Sequence, residues 1–225
     1  MTEKHPLFWK YASQHMDAHT AQELYALYNE PHRFYHNADH IERLLFLFQT
    51  ERQPDMHRDW CDTLVKAILF HDAVYYIGCK HNEEISAEYA VGKLYASGDD
   101  ISLGFMRNAI LATKSHTSSK WDDADLATKT LLDFDLWDIG SDWNTFYQNT
   151  VKIRAEFKDV TNEDFARGRR AFFQMLLDSP RIFREFTDRE EQARANLVRE
   201  YDLLAEPEFM FNLTFNSINL IESAK

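Results

Sequence analysis

Apolar side chains recur every three or four residues along almost the whole chain, and this spacing limits the possible folds more than any other feature. Such a period gathers apolar residues on one face of a helix but scatters them over both faces of a strand. Chain breakers are scarce, with 6 glycines and 5 prolines in 225 residues. No segment alternates apolar and polar residues between hairpin turns. The sequence therefore predicts an all-α fold.

The periodic segments divide the chain into a series of expected helices. The first ends before Pro31, and Asn37 is a suitable N-cap for the second. The segment from Leu64 to Tyr76 is almost wholly apolar, which predicts a central buried helix that Gly78 ends. Further helices are expected over 86–95, stopping near Gly98, and over 101–114, 123–138, 142–157, 163–178 and 188–204.

The sequence shows no repeat, no low-complexity linker and no shift in composition that would mark a domain boundary. We therefore expect one helical domain over residues 1–225. Its motif-bearing core covers about 24–140, and a helical C-terminal extension covers about 141–205. The residues after Pro207 receive no assignment from their pattern.

The formal charge of −12 argues against two classes of partner. An acidic surface repels the phosphates of nucleic-acid polymers and anionic membranes, whereas a small phosphorylated substrate remains possible if a metal reverses the charge locally. The chain has no run of apolar residues long enough to span a membrane, no signal-peptide pattern and no CxxC pair between its 2 cysteines. We expect a cytoplasmic protein, and the oligomeric state stays open.

Two polar residues, His71 and Asp72, interrupt the most apolar segment of the chain. At helical spacing their neighbours are apolar, and burying a carboxylate costs several kcal/mol unless a cation or hydrogen-bond donors compensate it. A metal ion would satisfy both side chains at once, and a core pair with protein partners is the alternative.

Two further segments carry residues of the same chemistry. His36 and His40 are four residues apart and can face one side of a first helical turn. Asp133 and Asp135 lie two apart, so only one of them can enter a site from a helix. Apolar neighbours place Asp135 inward, whereas Asp133 is assigned to the surroundings of the site or to solvent. Imidazole ligands suit zinc, manganese, iron, cobalt and nickel, and carboxylates suit magnesium and manganese.

The ordered set His40, His71-Asp72 and Asp135 resembles the H…HD…D signature of the HD-superfamily metal-dependent phosphohydrolases. The stretch Tyr28–His40, the segment FHDAVY and the segment LDFDL resemble a subgroup of small bacterial predicted HD phosphohydrolases. The likeness covers about residues 24–140. It implies an HD-domain, phosphodiesterase-like helical bundle in which His40, His71, Asp72 and Asp135 bind a divalent metal.

The segment Tyr35-His36-Asn37-x-x-His40 is also similar to the YHNxxH element of cyclic-nucleotide phosphodiesterases. That likeness implies that His36 donates a proton and His40 binds metal. It ends after Asp72, where this chain continues AVYYIGCKHNEE instead of a proline- and glycine-bearing segment. The related enzymes also use an acidic residue after the dyad in catalysis or for a second metal. Glu83 is the candidate here, although the first turn of a helix favours a carboxylate in any case.

Basic residues near these motifs are candidates for binding a substrate phosphate. Arg33 and Lys114 are the nearest cations, and His116 ends an expected helix from which it could reach the site. For Lys114 and His116, a surface cation and a favourable helix terminus are the alternatives. The remaining histidines outside the motifs are interpreted as surface residues: His5, His15, His19, His32 and His57.

These residues favour hydrolysis of a phosphate mono- or diester of a small molecule, with nucleotides among the candidates. Metal-activated water would attack phosphorus, Asp72 would be both ligand and catalytic residue, and His36 would protonate the leaving oxygen. A di-iron oxygenase is an alternative that would need His81 and His116 as extra ligands. A non-catalytic, nucleotide-sensing helical domain is another.

Overall fold

The computed structural model describes residues 4–95 and 100–224. Within these ranges the chain forms α-helices and short 3-10 helices and no strand, which confirms the predicted all-α fold. No described helix combines the length and the apolar character that crossing a bilayer requires. The backbone contacts divide the chain into two compact units, Met1–Asp135 and Leu136–Lys225. The single-domain assignment stays a prediction.

Seven α-helices build the first unit within the residues that the structure describes, and the fourth lies at its centre. Helix α4 contacts the other helices on several sides because six of its last seven side chains are buried and apolar. Lys66 is the exception, and its Nζ donates to Ser102 Oγ at 3.2 Å. The helices are α1 (Pro6–His15), α2 (Ala18–Tyr28), α3 (Ala38–Thr50), α4 (Arg58–Phe70), α5 (Asn82–Leu94), α6 (Asp100–Ala112) and α7 (Leu126–Asp135).

The start of α3 is fixed as the sequence predicts. Asn37 is its N-cap, and the side-chain Oδ1 accepts from the backbone amides of Asp39 and His40 at 3.0 and 3.3 Å.

Sequence patterns did not identify α1, which α3 holds in place. The Glu42 carboxylate accepts from the first free amides of α1, those of Leu7 and Phe8, at 2.9 and 2.8 Å.

His5, interpreted from the sequence as a surface residue, is buried beside these capping contacts. Its ring nitrogens contact the Tyr25 hydroxyl at 2.9 Å and the Asp39 carboxylate at 2.7 Å. These two contacts compensate the polar ring, so burial costs little free energy. No residue near His5 in sequence signals this burial, because both partners lie at least twenty residues away.

The central helix ends six residues earlier than the sequence predicts. We expected it to continue to Tyr76, whereas α4 ends at Phe70 and the dyad lies just beyond it. Side chains of α5 supply the hydrogen bonds that a longer helix would have made. Ser86 Oγ accepts from the Val74 amide and Asn82 Oδ1 accepts from the Tyr76 amide, both at 3.0 Å. Gly78, the predicted helix end, instead has a positive φ of 77° in the turn that follows.

Four α-helices build the second unit, and their apolar faces form a core that includes Phe146, Phe173, Leu197 and Leu213. Their bounds agree with the expected helices to within two residues, and α11 accounts for the unassigned tail. The predicted stop of an earlier helix near Gly98 lies outside the described residues. The four helices are α8 (Trp143–Glu156), α9 (Asn162–Asp178), α10 (Glu190–Leu203) and α11 (Pro207–Ser223).

A buried carboxylate connects three helices of the second unit. Glu200 of α10 is fully buried, and its two oxygens accept from Thr150 Oγ1 of α8 at 2.6 Å and from Arg169 Nε of α9 at 2.7 Å. Arg169 Nη2 closes the triangle by donating to Thr150 Oγ1 at 2.8 Å. Removing one member of such a set leaves its partners desolvated and unpaired.

We therefore expect Glu200→Gln to lower the free energy of unfolding by about 3 kcal/mol, because it leaves the Arg169 charge without its counterion. Urea denaturation followed by circular dichroism measures the change. Arg167→Ala is the control, since it removes an exposed pair with Asp164 in the same helix that solvent already screens. Equal losses in the two variants would contradict the assigned role of Glu200.

Candidate metal centre

Three helix ends bring His40, His71, Asp72 and Asp135 together in the first unit. His40 lies in the first turn of α3, the dyad directly follows α4, and Asp135 is the last residue of α7. Each side chain offers one ligand atom, and these atoms all lie within 4.8 Å of one another. The four residues that the sequence grouped as metal ligands are therefore neighbours in the structure.

The spacing of the ligand atoms suits a small cation. His40 Nε2 lies 3.3 Å from His71 Nε2 and 3.1 Å from Asp135 Oδ1, and His71 Nε2 lies 3.2 Å from Asp72 Oδ2. His40 Nε2 and Asp72 Oδ2 lie 4.0 Å apart, and no two of the ligand atoms are more than 4.8 Å apart. Ligands bound at zinc-like distances around a tetrahedral ion lie about 3.3 Å apart. The donor set therefore fits a divalent metal.

The hydrogen bond on the far side of His71 fixes the tautomer that a metal ligand needs. Its Nδ1 lies 3.0 Å from the Ile68 carbonyl oxygen, which can only accept, so Nδ1 carries the proton. In the neutral ring the lone pair is then on Nε2, directed at the other three ligand atoms. Metal-binding histidines are commonly oriented by such a bond.

The charges in this group shift the pKa values of its members strongly. Burial is the largest single effect and favours the neutral forms of the Asp72 and Asp135 carboxyls, but the His71 charge and the hydrogen bonds from neighbouring histidines together outweigh it and lower the pKa of both. Burial likewise opposes protonation of His71, yet the two carboxylates raise the pKa of His71 well above its ordinary value. Without a metal, a proton on His71 supplies the positive charge that the carboxylates require.

Asp133 lies outside this group, as the helical geometry of α7 requires, but it is not in solvent. Its side chain is fully buried and has its own partners within the protein. The solvent alternative for Asp133 is therefore wrong. The apolar flanks of α7 are buried on more than one side, so a position two residues from Asp135 is also enclosed.

Two histidines lie next to the metal ligands. His116 Nε2 contacts Asp135 Oδ2 at 2.7 Å, on the carboxylate oxygen opposite the one that faces His40. His36 lies before the N-cap of α3 and not on its first turn, so the predicted helical pairing with His40 is wrong. Its ring stacks on Tyr75 with centroids 4.3 Å apart and lies 6.3 Å from the His40 ring. Both histidines are therefore beside the group and not among its four ligands.

The predicted phosphate-binding cations have other partners. The Arg33 side chain has no exposed surface, and its guanidinium donates to Glu30 and to backbone carbonyls. This burial contradicts the assignment of Arg33 to substrate binding. Lys114 donates to the Lys80 carbonyl at 2.6 Å and forms an ion pair with Glu84, which ties it to the start of α5.

Glu83 and His81 lie at the start of α5 and outside the metal group. Glu83 is in the first turn of the helix, and it forms no ion pair with any residue that the structure describes. His81 is 72% exposed and contacts Glu84. The catalytic role of Glu83 stays a prediction, and a carboxylate favoured by the helix terminus is the alternative.

Sequence reasoning missed the side chains that hold the segment after Asp72. The carbonyl oxygens of residues 72–76 each accept a hydrogen bond from a side chain elsewhere in the first unit. The donors are Arg33 for Asp72 and Ala73, Ser86 for Val74, His32 for Tyr75 and Asn82 for Tyr76. His32, interpreted from the sequence as a surface residue, is 34% exposed, and its ring also contacts the Tyr75 carbonyl oxygen. The spacing of Asn82 and Ser86 on one face of α5 was the only signal available.

Comparisons of this chain with protein-family models, curated proteins and solved structures find no match. The relation to the HD superfamily therefore depends on the motif likeness alone and stays a prediction.

We expect Asp135→Asn to weaken divalent-metal binding by at least about 100-fold, because it removes a charged ligand at the centre of the group. Asp133→Asn, two residues away and equally conservative, is the control and should keep the metal. Metal analysis after dialysis and titration with manganese or zinc measure both variants. The opposite order would show that Asp133 is the ligand.

The pKa shifts also predict how metal affects stability as pH changes. Because the pKa of His71 is raised in the folded protein, protonation of His71 stabilises the fold. This stabilisation is complete below the ordinary pKa of 6.5 and is lost as pH rises through the raised pKa. The lowered pKa values of Asp72 and Asp135 contribute stability above the ordinary value of 3.8, lost as pH falls through the lowered values. A metal ion replaces the proton and does not dissociate as pH rises.

Stabilisation by metal should therefore grow as pH rises from about 6.5, the ordinary pKa of histidine, through the raised pKa of His71, because the metal-free protein loses the His71 contribution over that range. Thermal melts of chelator-treated and zinc-loaded protein across this range test it. A metal-induced shift in Tm that shrinks with rising pH would contradict the assignment.

Proposed function

We propose that this protein is a metal-dependent phosphohydrolase that cleaves a phosphate mono- or diester of a small molecule, a nucleotide among the candidates. The observation that carries the proposal is the convergence of His40, His71, Asp72 and Asp135 within 4.8 Å. The resemblance of the same four residues to the HD phosphohydrolase signature supports it. Phosphoryl transfer needs mainly charge neutralisation and positioning, which a metal with histidine and carboxylate ligands provides.

The chain's own residues divide into two roles in this proposal. His40, His71, Asp72 and Asp135 would hold a divalent ion, and His116 orients Asp135 through their 2.7 Å contact. When bound, the ion supplies positive charge for the phosphoryl oxygens and lowers the pKa of water. His36 would hold a proton for the leaving oxygen, since its ordinary pKa is near neutrality. Its place on the Tyr75 ring, beside the ligands and not among them, suits that role.

The ligand set favours some metals over others. Half of the donors are imidazole nitrogens, which suit manganese, iron, cobalt, nickel and zinc better than magnesium. A di-iron oxygenase would need His81 as a further ligand, but His81 is 72% exposed and outside the group. The geometry therefore favours the phosphohydrolase over the oxygenase.

A panel of metals and phosphate esters tests the proposal. Protein from which a chelator has removed the metal should be inactive. Adding one of manganese, cobalt, nickel, zinc, iron or magnesium should restore hydrolysis of a mono- or diester. Asp135→Asn should stay inactive at the same metal concentration. Protein that binds metal tightly yet hydrolyses none of the esters would overturn the proposal and favour a non-catalytic domain.

The proposed proton donor gives a sharper prediction. His36→Ala should keep its metal yet lose about 10²–10⁴-fold in turnover with an alkyl phosphate ester, whose leaving group needs a proton. The loss should be much smaller with a nitrophenyl ester, because nitrophenolate leaves without one. Steady-state rates with both esters and a metal titration measure these effects.

Three outcomes separate the roles of His36. Loss of metal together with equal losses on both esters would make His36 a ligand. No change in either rate would exclude any part in catalysis. Only a selective loss on the alkyl ester, with metal retained, supports proton donation.

A further inference from the structure

Arg33 is a buried guanidinium that connects the two parts of the candidate site. Its Nη1 donates to the carbonyl oxygens of His36 at 3.2 Å and Asp72 at 2.7 Å. Its Nη2 donates to the Ala73 carbonyl at 2.9 Å. One rigid group thus binds the backbone of the proposed proton donor and the backbone of a metal ligand, which are 36 residues apart in sequence.

The remaining contacts of Arg33 compensate its charge and fix its plane. Its Nε donates to the Glu30 carboxylate at 3.0 Å. The guanidinium carbon lies 5.4 Å from the centroid of Tyr28 and 5.6 Å from that of Tyr75. Tyr75 in turn stacks on His36, so the same aromatic ring contacts both the arginine and the proposed acid.

We propose that Arg33 is a positioning residue that sets the His36 segment and the Asp72 segment at a fixed distance from each other. The planar fork of a guanidinium presents its donors in fixed directions, so it holds several carbonyl oxygens in one arrangement. A lysine ammonium has a charge of the same sign but no fork, and it cannot make the same three bonds. The part that concerns His36 rests on the proposed phosphohydrolase function, whereas the part that concerns Asp72 needs only metal binding.

A role in general stability is the alternative, because any buried arginine that loses its bonds destabilises a protein. Arg154 of the second unit provides a matched control. It is buried as well and donates to two backbone carbonyls, those of Phe157 at 2.6 Å and Val160 at 3.1 Å. It also donates to the Asn162 side chain and lies over the Phe165 ring. Arg154→Lys should cost stability without touching the metal ligands.

The experiment compares Arg33→Lys with Arg154→Lys at a temperature where both are folded by circular dichroism. Zinc affinity and turnover of metal-saturated protein on the alkyl and nitrophenyl esters are measured for each. Arg33→Lys should weaken zinc binding by about 10-fold and lower turnover on the alkyl ester by about 100-fold. It should lower turnover on the nitrophenyl ester less. Arg154→Lys should lower Tm and leave zinc affinity and both rates unchanged.

The outcomes separate this inference from the proposed function. Arg33→Lys with a lower Tm but unchanged zinc affinity and unchanged rates would overturn the positioning role. If the wild-type protein hydrolyses no ester, the proposed function is refuted. If Arg33→Lys nevertheless binds zinc more weakly than the wild type, the positioning role toward Asp72 is supported. If Arg33→Lys does not fold, Glu30→Gln decides by removing the carboxylate that orients Nε. Weaker zinc binding in Glu30→Gln than in Arg154→Lys supports the inference, and equal affinity overturns it.

Discussion

The two carboxylates and two imidazoles of the ligand group require a positive charge between them, and the rest of this site depends on that requirement. Asp72 and Asp135 place their oxygens within reach of His40 and His71, which are buried, and their own side chains are only 18% and 15% exposed. Carboxylates so close together repel each other and lose hydration unless a cation compensates them. In the absence of a metal ion, the carboxylates raise the pKa of His71 and so favour a proton on its ring, which is one way of meeting this requirement.

The helices reinforce this requirement through the ends that they direct at the site. The C-terminal ends of α4 and α7 both reach the ligand group, and helix C-termini carry partial negative charge. A carboxylate at such an end is unfavourable unless a cation is close. The N-terminus of α3, which bears His40, adds a smaller effect of the opposite sign. The backbone and the side chains therefore both favour a bound cation over an empty or neutral site.

The sequence predicted two kinds of feature: helices, which have a repeating apolar pattern, and polar residues that conflict with an apolar sequence around them. Helical periodicity gave the bounds of α6, α8, α9 and α10 to within two residues, and the cap at Asn37 followed from its residue type. The metal group was recognisable because His71 and Asp72 are polar residues in an apolar segment, which is unfavourable without a partner. The structure brings together the same four residues that this reasoning selected.

The parts that the sequence did not predict depend on bonds between a side chain and a distant backbone group. Arg33 looked like a cation available to substrate because nothing near it in sequence shows that two of its partners, the carbonyls of Asp72 and Ala73, lie about 40 residues later. The same applies to the early end of α4, which is decided by Asn82 and Ser86 and not by a glycine or proline. Such bonds produce no periodic pattern and no bias in residue composition, so only a three-dimensional structure reveals them.

The way in which residues 72–76 are held has a consequence for how this segment can change in evolution. The bonds to its carbonyl oxygens use the backbone, so they do not depend on which side chains the segment carries. They do depend on its length, since one inserted or deleted residue would shift every carbonyl away from its donor. Homologous chains should therefore vary in residue type at positions 74 and 76 while keeping the number of residues between the dyad and α5 constant.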